Sequence, residues 1–407
     1  MYDIAVIGAG ASGVLSALKA KNKNNKIILL EQSEKILKKI LVSGNGRCNL
    51  TNKNIDINSY HSNNLPLVKE ILEKVNNDKI LSYFNNIGIL TKEEGNLVYP
   101  YSNTSSTVVD ALTLELKKNN VEIKYNYEVT SIKYVKDCFE IFNNNDKKIK
   151  AKYIVISTGG ISFYKNKVPV TGYKLLDKIN HVKIDTFPSL VKVKTNVQSM
   201  YRLKGMRIKA KASIYVNEKL IKNENGEVLF GDGTLSGICI FNLSHYVNKY
   251  KKDKINICLD IMPEYSKENI KELIKRKYDY NIFDVLSYFF HKKISRSIIE
   301  LAKISDDKLI KDLNENEIDM IIKIIKKWSF NITGTEDFKT AQVTGGGLDL
   351  KDFTNDLESK LQKNIFVAGE VLDVDAICGG FNLQWAFSSG YLVGQKLNKL
   401  TKNEENI

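Results

Sequence analysis

Gly8, Gly10 and Gly13 stand in the order Gly-Ala-Gly-Ala-Ser-Gly, directly after the apolar run Asp3–Ile7 and at the head of a helix-periodic stretch, Ser12–Lys21. That spacing suits the phosphates of a dinucleotide. Gly8 permits a tight turn, Gly10 lets the backbone approach a pyrophosphate, and Gly13 lets helix and strand pack closely. The helix start at Ala11 and Ser12 adds unpaired N–H donors and a partial positive charge, worth about 0.3–1 kcal/mol toward an anion. Glu31 closes a second buried strand, Lys26–Leu30, and Gln32 follows it. A carboxylate there accepts from the ribose hydroxyls and repels a 2′-phosphate. The fingerprint alone does not separate FAD from NAD.

Three further segments favour FAD. The first is the loop Lys39–Asn52, containing Ser43, Gly44, Asn45, Gly46, Arg47, Cys48 and Asn49. Its glycines and short polar side chains offer many donors, and Arg47 is suited to a phosphate or a substrate carboxylate. Cys48 has no partner cysteine nearby in sequence, so it is expected to pack against a flavin rather than act as a nucleophile. The second is the apolar strand that ends in Thr158-Gly159-Gly160, with Val129 in the β-rich stretch before it. The third is the run 364–394, with Gly369, Glu370, Asp373, Gly379, Gly380, Phe381, Asn382, Leu383 and Gln384. A helix capped near Asn382 would favour negative charge on the N1–C2=O edge of a flavin and raise its reduction potential. Asp373 and Asp375 form a DxD that reads as hydrogen bonding to the flavin, with no metal expected. No second GxGxxG frame serves NAD(P)H, so a nicotinamide donor would dock transiently.

These residues need strands and helices to place them. The expected order is βαβ at the start and helices near Leu67–Val75, Lys79–Ile87 and Thr107–Lys118. Strands follow from Val121 to Ile156. Lys192–Asp260 reads as strand-like, Lys267–Trp328 as helix-rich, Gly345–Gly347 as a turn, Asn364–Ala368 as a last strand and Leu383–Lys396 as a last helix, with a frayed tail after Lys399. The fold class is therefore α/β: a discontinuous Rossmann-like FAD-binding domain (1–190 and 335–407), a β-barrel-like insertion (191–265 and 328–345) and a small helical subdomain (266–327). The 407 residues suffice for two or three domains.

Composition narrows the function classes. The five cysteines show no CxxC spacing, which argues against a zinc site and for a reduced setting. No apolar run approaches the roughly 18 residues a bilayer requires. With a strand-like run already at Asp3, no signal peptide is expected, and a cytoplasmic location is. The formal charge is +14, but the lysines are spread along the chain, so general solvation is the expected reading and a nucleic-acid partner is not expected. Only four histidines are present, too few for a His-rich catalytic cluster.

Taken with the runs Ser43–Asn52, Val343–Gly347, Gly369–Asp375 and Gly379–Gln384, the chain resembles the BaiN-like or aminoacetone-oxidase-like family of FAD-dependent oxidoreductases, within the two-dinucleotide-binding flavoprotein superfamily. The resemblance covers essentially the whole chain. It implies that Gly8, Gly10, Gly13, Glu31, Arg47, Cys48, Asn49, Gly369, Glu370 and Gly379 to Gln384 line the cofactor, and that an inserted domain covers a small-molecule substrate. The segment after Gly160 departs from the family pattern, reading Val168-Pro169-Val170-Thr171-Gly172-Tyr173. The expected activity is hydride transfer from reduced FAD to an activated C=C, with NAD(P)H as candidate donor. Arg47, Tyr173 and His245 are the candidate proton donors. An amine oxidase, an RNA-modifying flavoenzyme and a non-catalytic flavin-binding protein are the alternatives.

Overall fold

The computed structural model describes residues 1–163, 171–196 and 202–403, so Val168–Val170 lie outside the described residues. The chain forms two compact units, Met1–Phe187 with Val343–Ile407, and Pro188–Gln342.

The first unit is built on a seven-stranded sheet. Tyr2–Ile7 lies between Ile27–Leu30 and Lys148–Ile156, parallel to both, and Glu122–Lys124 extends the parallel set. Ile27–Leu30 is buried at every position, as expected of parallel strands covered on both faces. Lys148–Ile156 has two neighbours on its other edge. Its first residues pair antiparallel with Cys138–Asn143, and Ile154–Ile156 pair parallel with Ile365–Val367. A strand from near the end of the chain thereby completes a sheet begun at residue 2.

Helices repeat this joining of the ends. The opening helix Ala11–Ala20 and the closing helix Phe381–Asn403 are in backbone contact. A Cβ at Gly390 would lie 2.3 Å from the Ser12 carbonyl oxygen, and one at Gly394 would lie 2.6 Å from that of Ser16. Ser16 Oγ donates to the Gly390 carbonyl at 3.1 Å. The tail expected to fray after Lys399 stays helical to Asn403. Asn398 Nδ2 donates to the carbonyls of Ala20 and Lys21, and Thr401 Oγ1 accepts from Asn22 and Asn25. These bonds fasten the last turns to the loop after the opening helix.

The glycine run expected to turn at Gly345–Gly347 lies instead inside the fully buried strand Val343–Leu348. Its glycines are there for proximity. A Cβ at Gly345 would enter the Phe187 ring at 2.3 Å, and one at Gly346 would meet the Asp185 carbonyl at 2.3 Å. Glycine inside a strand marks such close approach.

The second unit contains a closed barrel of six strands, in the order Val193–Thr195, Thr234–Ser236, Lys219–Phe230, Arg207–Val216, Ile255–Asp260, Trp328–Thr335. The stretch expected to be strand-like through Asp260 is interrupted by a helix, Ile238–Lys249. Its apolar run satisfies either period, and Gly226 admits it, since a Cβ there would lie 3.3 Å from that of Cys239. Four helices follow before the last barrel strand: Lys267–Lys275, Ile282–Phe289, Lys292–Ala302 and Glu315–Lys326. Capping boxes at Ser266/Asn269 and Asn314/Glu317 start the first and last of these. Residues 335–342, which the sequence places in the overlap of the cofactor domain and the insertion, fall in this unit. Barrel pairing continues through them, with Glu336 N donating to the Lys192 carbonyl at 2.9 Å.

Gly390→Ala should force the two helices apart and lower stability by about 1–3 kcal/mol, read as a lower urea midpoint at unchanged slope. An unchanged midpoint would mean that the helices are not in contact.

Candidate functional site

The first glycine turn separates two uses of glycine. Gly8, at φ +100°, and Gly13 are packed solid. A Cβ on Gly8 would sit 2.5 Å from the Ser157 carbonyl oxygen, and one on Gly13 would sit 2.0 Å from that of Gly8. At Gly10 a Cβ would meet nothing within 4 Å. Open space therefore stands before the start of the opening helix, which has no side-chain cap and no acidic residue in its first turn. Its free N–H groups and dipole suit an anion. Ser12 Oγ donates to the Ala368 carbonyl at 3.3 Å, and Gly369 closes on Ser12, so Ser12 joins the turn to the closing segment.

Glu31 is buried. Its two carboxylate oxygens accept from the backbone N–H groups of Ala9 and Ser33, each at 2.9 Å. A carboxylate has about four acceptor positions, so capacity for ribose hydroxyls remains. Gln32 beside it is half-buried. Val129, at the bulged start of a strand beyond, is buried in the core. Open space, free helix donors and a carboxylate at the second strand together fit a dinucleotide.

Glu370 holds three remote segments together. Its carboxylate accepts from the backbone N–H of Thr344 at 2.8 Å and of Gly160 at 3.3 Å, from Ser162 Oγ, and from Lys39 Nζ at 2.9 Å. The resemblance implies that Glu370 lines the cofactor; its side chain also fixes the Thr158-Gly159-Gly160 turn. Gly159 adopts φ +71°, and a Cβ on Gly160 would strike Thr344 Oγ1 at 2.4 Å. Thr158 Oγ1 accepts from the N–H of Gly172 at 2.8 Å. Tyr173 follows, on the short helix Gly172–Leu176. Its hydroxyl is buried without a hydrogen-bond partner among the described residues. Burial first, then the Glu370 and Asp373 carboxylates, raise its pKa well above the usual phenol value.

The loop at Arg47 winds through left-handed conformations at Gly44, Asn45, Gly46 and Cys48. Ser43 Oγ donates to the Ile40 carbonyl, and Asn49 Oδ1 accepts from Val98 N. Arg47 is bonded to Glu94 at 2.5 Å and Asn103 at 2.9 Å, and lies over the Tyr99 ring at 4.0 Å. The Glu94 bond raises its pKa further, so it serves as a fixed cation and a poor acid. Cys48 is fully buried, and burial pushes its thiol up to about 12. A thiolate nucleophile is thereby disfavoured.

This loop meets the closing turn. Gly379 and Gly380 have φ of +129° and +92°, and a Cβ on Gly380 would lie 2.6 Å from the Thr51 carbonyl group. Asn52 Nδ2 donates to the Gly379 carbonyl, and the Tyr60 hydroxyl to that of Phe381. Side chains expected to face a cofactor here are largely committed within the fold. Gln384 is fully buried, bonded to Thr51 and Ser388, and Asn382 bonds both backbone groups of Ala376. The Phe381 ring packs edge-on against Tyr60, and Leu383 is half-buried. Asp373 Oδ2 accepts from Asn63 N. What the turn can offer is backbone: the first N–H groups of a 23-residue helix.

His245, the third candidate proton donor, lies buried on the helix Ile238–Lys249 of the second unit. The sequence reading missed Lys39, Thr344, Thr51 and Asn52 as organisers of the site. Lys39 and the Thr51–Asn52 pair fall inside the glycine-rich loop already singled out, but nothing in their types marks whom they meet.

A family model described as HI0933-like protein Rossmann domain matches residues 2–396. A 3-dehydro-bile acid delta(4,6)-reductase from Clostridium scindens is 29% identical over 404 residues, covering 97% of this chain and 98% of the relative. Ribosomal RNA dihydrouridine synthases from Escherichia coli and Haemophilus influenzae are 28% and 26% identical, each across 97% of this chain and 98% of the relative.

Two substitutions separate the roles of the glycines. Gly10→Ala should leave the thermal midpoint unchanged but weaken FAD binding at least about tenfold, by placing a methyl where the pyrophosphate approaches. Gly13→Ala should destabilise the protein itself. Equal FAD affinity in Gly10→Ala and the native chain would exclude this turn as the phosphate site. Separately, iodoacetamide at pH 8 should leave Cys48 unmodified in the folded protein, as read by peptide mass spectrometry.

Proposed function

Because this chain belongs to the HI0933-like Rossmann-domain family, we propose that it is a reductase that saturates a C=C bond conjugated to a carbonyl, with FAD as its cofactor. It is an oxidoreductase and a flavoprotein; the bond reduced, the donor and the substrate are the proposal. The observation that carries the reading is that relatives named for a steroid-like dienone and for a uracil ring align over nearly their whole lengths. Both names describe the same change, addition of hydrogen across a C=C next to a carbonyl.

Residues of the first unit are assigned accordingly. Gly8, Gly10, Ala11, Ser12 and Gly13 take the pyrophosphate, and Glu31 takes the adenosine ribose. Thr158, Gly159 and Gly160 flank the adenosine end. Gly379, Gly380 and the first turn of the closing helix take the ring end. Bound FAD supplies hydride at its N5 position. The N–H groups of Phe381, Asn382 and Leu383 have no partner within the helix and no acidic neighbour in its first turn, so they favour negative charge on the bound ring. Arg47 orients a carbonyl or carboxylate oxygen while keeping its proton. Tyr173 donates a hydrogen bond from a hydroxyl that has no acceptor among the described residues. Neither residue readily releases a proton near neutrality, so the substrate proton is assigned to water.

A small enone or dienone is the first substrate reading. Uridine in RNA is the second, favoured by the +14 charge together with the two dihydrouridine synthase relatives. NAD(P)H remains the candidate donor.

Anaerobic stopped-flow spectroscopy tests the reaction. NADH or NADPH should bleach the visible band of the oxidised flavin, and an enone should restore it. Bleaching by a small amine, with none by NAD(P)H, would replace the reductase with an oxidase. Tyr173→Phe should keep FAD bound and slow reoxidation by the enone about tenfold. An unchanged rate would remove Tyr173 from the site.

A further inference from the structure

The helical part of the second unit carries a cavity that the reading above leaves unused. It has a volume of about 380 Å³ and is lined by Leu273, Arg276, Lys277, Tyr288 and Phe289. Two cations and two aromatic rings thus share one concavity, and none of these lining residues is acidic. Leu273 comes from the helix Lys267–Lys275, with Arg276 and Lys277 just beyond its end, while Tyr288 and Phe289 close the helix Ile282–Phe289.

Exposure at this place is unusual for aromatic side chains. Tyr288 is 62% exposed, and Tyr278 and Tyr280, immediately after Lys277, are 61% and 47% exposed. Lys277 lies 5.4 Å from the Tyr280 ring centre. Lys292 and Lys293 continue the cationic surface just after Phe289, both exposed, whereas Arg296 beyond them is paired with Asp306 at 3.4 Å. Local carboxylates do not cancel this charge. Glu272 pairs with Arg276 only at 3.7 Å, with both side chains about two-thirds exposed, a geometry that contributes little. Asp279 is engaged with Lys311 at 3.4 Å. Asp284 is bonded by Asn281.

Aromatic faces beside mobile cations are what a strand of unpaired nucleotides needs. Bases stack on the rings, and phosphates meet the lysines and arginines. A duplex keeps its bases stacked on one another and has no use for exposed tyrosines. Three exposed rings in eleven residues, flanked by cations on both sides, also exceed what one mononucleotide could cover. We propose that the cavity formed by Leu273, Arg276, Lys277, Tyr288 and Phe289 is a docking site for single-stranded RNA, with a base on Tyr288 and the backbone along Arg276, Lys277 and Lys292–Lys293. The choice of RNA over DNA rests on the uridine reading above; the site itself rests on these side chains.

The test uses the full-length holoprotein and a fluorescein-labelled single-stranded RNA of about 12 nucleotides, within the usual site size of such grooves. Anisotropy is followed over roughly 50–200 mM salt. RNA should bind more tightly than DNA of the same sequence and more tightly than UMP. Tyr288→Ala should weaken binding about tenfold, and Tyr288→Phe should restore it, because the ring carries the stacking. Arg276→Ala with Lys277→Ala should reduce the slope of log K against log salt by about 1.4, the value for two lost phosphate contacts on a single strand. Their exposure means these changes should leave the thermal midpoint unaltered. No binding near 50 mM salt overturns the proposal. So do variants that bind like the native chain, UMP matching RNA, or DNA binding as well as RNA. Enone reduction is measured on the same samples. Lost RNA binding with reduction intact sinks the docking site alone, whereas retained binding without reduction by any donor sinks the reductase reading instead.

Discussion

The carbonyl oxygen of Ser12 occupies the place where any side chain at position 390 would begin. Two helices separated by most of the chain can touch at that distance only because one presents glycine to the other. Gly394 repeats the arrangement one turn later against Ser16 and Lys19. Packing is then so close that Ser16 bonds the facing backbone directly. With this contact made, the closing strand Ile365–Val367 lies beside Lys148–Ile156, Gly369 abuts Ser12, and the turn at Gly379–Gly380 reaches Thr51. The geometry of the candidate site follows from one line of backbone proximity.

Within that frame, space and contact divide the labour. Of the three fingerprint glycines, two are filled tightly and one faces emptiness. Around them, charged side chains are mostly spent on architecture. Glu370 secures Lys39, Gly160, Ser162 and Thr344, and Arg47 is secured by Glu94, Asn103 and Tyr99. Positions that touch a cofactor in such a site need not offer free side chains. Backbone N–H groups at two helix starts supply fixed donors that require no rotamer to be ordered.

The sequence is informative wherever spacing alone dictates geometry. Gly8-x-Gly10-x-x-Gly13 behind an apolar strand, with Glu31 at the end of the next, needs no distant partner to be recognised. Cys48, expected from the sequence to pack against a flavin rather than act as a nucleophile, is fully buried. Legibility ends where meaning depends on a remote partner. Gly345–Gly347 looks like a turn until Phe187 and Asp185 are placed beside it. Ile238–Lys249 has an apolar run compatible with either period, and its helical form is tied to close packing at Gly226. Glu370 carries no local sign that its partners lie 26 to 331 residues away.

Interrupting the first unit between Phe187 and Val343 has a consequence for how the protein is made. Ribosomes release the whole of residues 188–342 before Ile365, Glu370 or Gly390 exists. The six-stranded barrel and its helices have their own core, so they can fold while the host remains unfinished, as domains do during synthesis. The host must wait, with strand Lys148–Ile156 lacking a neighbour and the opening helix bare along the face later covered by Gly390. The closing strand and helix complete the first unit only after the inserted unit can already have folded.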